Sequence, residues 1–124
     1  MPVRYSSSSV LRWPDRSQVE QAVWAWVRSE APRHPELVKL GYFGSYARGD
    51  PGFGSDLDLV AVVRTSNQSF ERRAVSWDLN ALPVPAEILV YTEAEWQALM
   101  ERGGRFALTL SREAVWIPIV SDSA

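Results

Sequence analysis

Two aspartates one residue apart, Asp56 and Asp58, constrain this chain more than anything else in it. They stand between a loop and an apolar run, Leu59 to Val63. Ten residues ahead of them lies the pair Gly44-Ser45, itself preceded by the apolar run Leu40 to Phe43. The whole stretch reads as strand, glycine turn, short helix, loop and second strand. On a strand, residues i and i+2 point to the same face, which puts both carboxylates together, Cα atoms about 6 to 7 Å apart. Leu57 and Leu59 then point the other way, into a core.

Two bare carboxylates at that distance repel, and one tends to take up a proton. A divalent cation removes the penalty, and hard oxygen donors select Mg2+ or Mn2+. Glu87 is the natural third ligand, because it interrupts the apolar run Ala86 to Val90. If its strand lies beside the second strand, Glu87 lands next to the pair; otherwise it sits on an exposed sheet face. Three carboxylates can hold two metals about 3.5 to 4 Å apart, the arrangement of in-line phosphoryl chemistry. Gly44 lets backbone approach a polyphosphate closely. Ser45 either caps the short helix Tyr46–Arg48 or donates its hydroxyl to phosphate. Arg48, one turn on, can reach the same phosphates. By average residue usage, Gly-Ser, ten residues and Asp-x-Asp coincide in roughly one chain of this length in several hundred.

The rest of the chain reads as support. Residues 1–13, with four consecutive serines, are expected to form a flexible arm. Residues 14–120 are expected to form one domain and residues 121–124 a frayed tail. Pro14 to Glu30 is a helix, since Val19, Ala22, Val23, Trp26 and Val27 share one face. Its cap is Ser17 with Glu20, or else Asp15. Trp24 lies off that stripe, against a sheet edge or a partner. Strands are expected at Leu37–Phe43, Asp56–Val63, Val84–Tyr91 and Ala114–Val120, with Pro85 marking the start of the third as an edge. Ser66 to Asp78 is a weaker helix, with Trp77 a second candidate for an exposed tryptophan. Thr92 and Glu95 form a capping box ahead of another helix, which Gly103-Gly104 ends. Phe106, Leu108 and Leu110 suit either a short helix or an extended segment. The sum is an α/β (α+β) domain, a mixed sheet of about four to five strands with helices mainly on one face.

Composition excludes more than it selects. A chain of 124 residues with 46% hydrophobic residues buries one core. It has no cysteine, hence no disulfide and no thiolate chemistry. Its only histidine, His34, stands in a Pro-rich loop without a second ligand nearby, which argues against histidine triads and zinc. A net charge of −2 gives no basic field for nucleic acid, although the cations are 12 Arg and one Lys. No apolar run could span a bilayer or serve as a signal peptide, so a cytoplasmic location is expected.

Leu40 to Val63 resembles the nucleotidyltransferase superfamily that includes the DNA polymerase β palm, and above all its minimal nucleotidyltransferase branch. That branch has Gly-Ser-x-Ala-Arg-Gly followed by Ser-Asp-x-Asp; Gly44, Ser45, Ala47, Arg48, Gly49, Ser55, Asp56 and Asp58 match it. The third family carboxylate is often Asp, and here it is Glu87, one methylene longer. The resemblance implies that Asp56, Asp58 and Glu87 bind two Mg2+ ions, Glu87 also helping to deprotonate an acceptor hydroxyl. Gly44 and Ser45 would hold the β and γ phosphates, with Arg48 and Ser55 completing the nucleotide contacts. The reaction implied is attack of a hydroxyl on the α-phosphorus of a nucleoside triphosphate, ATP being favoured, with release of pyrophosphate. Relatives that modify drugs, RNA or DNA carry a second domain for the acceptor. A chain this short resembles instead the antitoxins that adenylylate a helical HEPN-type toxin. Two other readings stay open: a binding module that neutralises a partner by contact, motivated by Trp24, Trp77 and the Glu at 87, and a homo-oligomeric enzyme acting on small molecules such as aminoglycosides.

Overall fold

The computed structural model describes residues 14–51 and 55–119. The expected arm, the middle of the loop and the expected tail lie outside the described residues. The elements are helix α1 (Arg16–Glu30), strand β1 (Leu37–Phe43), helix α2 (Ser45–Arg48), strand β2 (Leu57–Val63), helix α3 (Phe70–Arg73), strand β3 (Ala86–Thr92), helix α4 (Glu93–Arg102), helix α5 (Arg105–Glu113) and strand β4 (Val115–Ile117).

The four strands form one mixed sheet in the order β3-β2-β1-β4. Strand β1 runs antiparallel to β2 and to β4, while β2 and β3 are parallel. Period-two alternation divides the sheet residues between two faces. Leu57, Leu59, Ala61 and Val63 of β2 join Leu40, Tyr42, Ile88, Val90 and Ile117 in the main core. That core is closed by Val19, Val23, Trp26 and Val27 of α1, all buried. The opposite face carries Asp58 and Glu87 at one end. Further along, the edge-to-face rings of Tyr91, Trp96 and Trp116 bring α4 over it, with the Lys39 ammonium 4.8 and 4.3 Å from the two indole centroids. Because β2 is central and lined on both sides, it reads as a nearly continuous apolar strand, and Asp58 is its one charged residue.

Helix α1 starts at Asp15, not Ser17. The Asp15 carboxylate accepts from the Gln18 amide (2.8 Å), and the Gln18 side chain accepts from the Asp15 amide (2.9 Å). Glu20 is thereby released to accept the Tyr42 hydroxyl (2.8 Å) and pair with Arg16 (3.3 Å). The helix expected over Ser66–Asp78 shrinks to α3 and one 3-10 turn, Ala74–Ser76. Its polar stretch Ser66 to Ser69 makes local turns instead, as the Gln68 amide to Ser66 hydroxyl bond shows. Strand β3 begins at Ala86, after Pro85, and is an edge strand as the proline indicates. The ambiguous segment around Phe106 is the helix α5, turned out of α4 by Gly103 and Gly104, both at positive φ.

Trp77, expected at the surface, is buried instead. His34 explains this: its ring stacks on Trp77 at 3.6 Å between centroids, 6° from parallel. His34 Nε2 meets the carboxylate of buried Glu30 at 2.9 Å, and Glu30 also accepts from the Asp78 amide at 3.0 Å. Burial pushes the Glu30 carboxyl up, but these bonds and the nearby Arg33 outweigh it and hold it below its ordinary value. His34 is thus the staple that fastens the segment after α3 to the end of α1.

A second clamp lies under α4. Buried Arg73 forks onto both oxygens of Glu95 (2.6 and 3.1 Å) and also donates to the Val90 carbonyl (3.0 Å). Glu95 closes the Thr92 capping box at the same time. The Arg73 bond is the main reason that the Glu95 carboxyl falls to about 2. A carboxyl that titrates lower in the folded chain than its ordinary 4.5 contributes fully above 4.5 and loses that contribution as pH falls towards 2. Glu95→Gln keeps a capping side chain but removes the charge. Since Glu95 is 44% exposed, the loss at neutral pH is expected to be about 1 kcal/mol after discounting for solvent. Urea unfolding at pH 7 and pH 3 would measure it, and the difference between variant and wild type should shrink at pH 3. An equal difference at both values would remove the ion pair as its cause.

Candidate active site

The strand register assembles the site. Asp58 lies opposite Phe43 at the end of β1 and opposite Glu87 near the start of β3. Neighbouring strands are about 4.8 Å apart, so the Asp58 and Glu87 backbones are adjacent and their side chains leave on the same face. Asp56 precedes β2 by one residue and is exposed, so the expected strand pairing of the two aspartates stops one residue short. Its charge nonetheless reaches Asp58. Burial pushes the Asp58 carboxyl above its ordinary range, and Glu87 and then Asp56 push it the same way, against a smaller opposing pull from Arg48. Among the described residues no three carboxylates or imidazoles are gathered tightly enough to hold an ion by themselves.

The glycine turn is built against this carboxylate. Gly44 has φ +81°, and a Cβ there would sit 2.6 Å from Asp58 Oδ2. The turn therefore needs glycine twice, for its backbone angle and for the approach of Asp58. Gly44 is also the residue that starts α2, and no side chain caps it. Ser45, expected as that cap, is instead the first helical residue, because the turn at Gly44 completes the bend one residue early. The Arg48 amide returns to the Gly44 carbonyl at 2.9 Å, and Gly49 closes the helix in the left-handed region.

Three residues outside the pattern hold the turn in place. Buried Tyr46 donates its hydroxyl to the Ser55 carbonyl (3.3 Å), tying α2 to the residue just before Asp56. Arg16 of α1 donates to the Tyr46 carbonyl (3.3 Å). Glu113, the last residue of α5, takes Arg48 Nη1 at 3.2 Å, while Asp50 lies 3.5 Å from Arg48 Nε. Arg48 is thus paired with carboxylates. Apart from the local Arg48–Asp50 pair, none of these contacts has a sequence signal, since each joins residues from distant parts of the chain or uses a backbone carbonyl.

The comparisons with known proteins agree with this fold. The nucleotidyltransferase domain family matches residues 25–106, which include every strand but β4 and the three carboxylates Asp56, Asp58 and Glu87. The chain belongs to that family. A solved structure of a candidate nucleotidyltransferase from Sulfolobus solfataricus is 18% identical, covers 93% of this chain and 90% of its own, and superposes with a TM-score of 0.59. At that identity the likeness speaks for the nucleotidyltransferase fold. No match was found among curated proteins. No helix among the described residues is long and apolar enough to cross a membrane.

Two substitutions separate what the nucleotidyltransferase site contributes from what it costs. Gly44→Ala is expected to lower stability by about 1–3 kcal/mol through the strained φ and the displaced Asp58. Asp58→Asn should do the reverse, raising apo stability by on the order of 1 kcal/mol, because it removes a carboxylate that its neighbours disfavour. Thermal unfolding in the presence of a chelator would show both; destabilisation by Asp58→Asn would mean that the carboxylate is satisfied by contacts within the chain.

Proposed function

We propose that the protein transfers a nucleoside monophosphate, AMP from ATP, to a hydroxyl acceptor with release of pyrophosphate. The observation that carries this is the register match of Asp58 with Glu87, beside a glycine turn that leaves no room for a Cβ against the Asp58 carboxylate. The donors Asp56, Asp58 and Glu87 are all carboxylate oxygens, the set that suits hard Mg2+ or Mn2+. A cation there relieves the repulsion that holds Asp58 above its ordinary range. Divalent metal, when bound, stabilises the charge on the entering and leaving oxygens of the transfer.

The chain's own residues then divide the work. Asp56, Asp58 and Glu87 hold the ions, as Mg2+ is commonly held by carboxylates together with substrate phosphates. Glu87, exposed at the sheet edge, would draw the proton from an incoming hydroxyl. Gly44 and Ser45 receive the β and γ phosphates, Ser55 stands at the aspartate end, and Arg48 adds a guanidinium to the phosphate side. The acceptor we favour is a hydroxyl of a helical, HEPN-type protein, which would make this chain an antitoxin. This rests on analogy with the minimal nucleotidyltransferase branch, whose Gly-Ser-x-Ala-Arg-Gly and Ser-Asp-x-Asp pattern the chain carries. The contact-only reading loses one of its two tryptophans, since Trp77 is buried, while Trp24 remains 42% exposed.

The test is transfer of label from α-labelled ATP, with Mg2+, to the product of the adjacent gene. Asp58→Asn is expected to reduce transfer by about 100-fold or more, as loss of a group that stabilises transition-state charge does. Transfer that survives both Asp58→Asn and chelation of metal would sink the proposal.

A further inference from the structure

Helix α5 flanks the candidate site with two contacts seven residues apart, a spacing that returns to the same helix face. Phe106, in its first turn, packs edge-on against Phe43 (5.8 Å, 77°), the residue paired with Asp58. Glu113, in its last turn, holds Arg48. An acid at the C-terminal end of a helix opposes the helix dipole, which favours a cation there. Glu113 is also only 27% exposed. Its position is unfavourable by itself and is offset by the Arg48 guanidinium.

Arg48 has a rotamer-rich side chain, 47% exposed, anchored to a four-residue helix. Left alone, it would sample many directions. Glu113 occupies Nη1 and Asp50 lies near Nε; among the described residues Nη2 has no acceptor. The guanidinium is thus fixed on one edge and open on another.

We propose that Glu113 is a positioning residue: it pre-orients Arg48 so that the open edge of the guanidinium meets the phosphates of the incoming nucleotide. The proposal rests on the reading of Arg48 as a phosphate contact. A fixed planar fork loses less freedom on binding phosphate than a mobile one. Glu113 touches no phosphate itself.

A double-mutant cycle on the full chain tests this by calorimetric titration with Mg2+ and ATP. Glu113→Gln is expected to weaken ATP binding about three- to fivefold, the range of an exposed ion pair. Arg48→Met should weaken it at least as much. Adding Glu113→Gln to Arg48→Met should cost nothing more, because there is no guanidinium left to orient. A merely structural Glu113 would weaken binding equally in both backgrounds, and that result overturns the proposal. So does unchanged or tighter binding by Glu113→Gln while Arg48→Met binds worse, which leaves the nucleotide reading intact. If Arg48→Met binds ATP like the wild type, the phosphate role of Arg48 is what fails, and the proposal falls with it. If the wild type binds no ATP, the nucleotide reading itself fails.

Discussion

The approach of the Asp58 carboxylate to Gly44, too close for a Cβ between them, is the constraint on which the rest of the site depends. It requires a glycine at 44, β1 and β2 in one antiparallel register, and a strand on the far side of β2 that leaves room for the carboxylate. A slip of one residue in β2 would turn Asp58 into the core and expose Leu57 and Leu59. What prevents the slip is the main core, where Leu57, Leu59, Ala61 and Val63 face Val19, Val23 and Val27. Apolar packing thus sets the position of the charged group, although it touches only the opposite face of the sheet.

The site sits at the amino ends of the parallel pair β2 and β3, whereas open parallel sheets commonly bind ligands at the carboxyl ends of their strands. Chain direction accounts for the difference. The glycine turn follows the carboxyl end of β1, and β1 is antiparallel to β2, so the turn arrives where β2 begins. The glycine turn and the carboxylates can meet only at that end. The carboxyl ends of β2 and β3 are left to structural work, where Arg73 and Glu95 clamp α4 and Glu30 and His34 fasten the segment after α3.

The parts of this arrangement that were legible in the residues are those with local periodicity or a short fixed spacing. The five apolar positions of α1, the apolar body of β2 and the Gly-Ser to Asp-x-Asp interval each announce themselves within a single element. Adjacency of Glu87 to Asp58 was legible only as a condition, because nothing local says which strands are neighbours. The errors follow the same division. Ser45 has the chemistry of a cap, but the positive φ of Gly44 starts the helix one residue sooner. Trp77 was read by its neighbours in sequence, whereas its burial is decided by His34, 43 residues away. His34 in turn looked idle because its partners, Glu30 and Trp77, are met only by folding back across the helix end.

Charge placement separates the two ends of the sheet in one further respect. Where the carboxylates are structural, each has a cation or amide donors: Glu95 has Arg73, Glu30 has the Asp78 amide and His34. Both carboxyls are held below their ordinary values as a result. Asp58 alone among the carboxylates with a resolved shift is held above it, by burial and by two more acids. Arg48, the cation nearest to hand, is bound to Glu113 and Asp50 and does not neutralise Asp58. A fold that pairs Glu30 and Glu95, yet leaves Asp58 within reach of two more acids with the nearby arginine engaged by other carboxylates, keeps that one carboxyl under electrostatic tension. Such tension persists in a marginally stable domain only where the surrounding structure over-determines it, and here the β2 core does so. Positive charge brought beside Asp58 from outside the chain would relieve that tension.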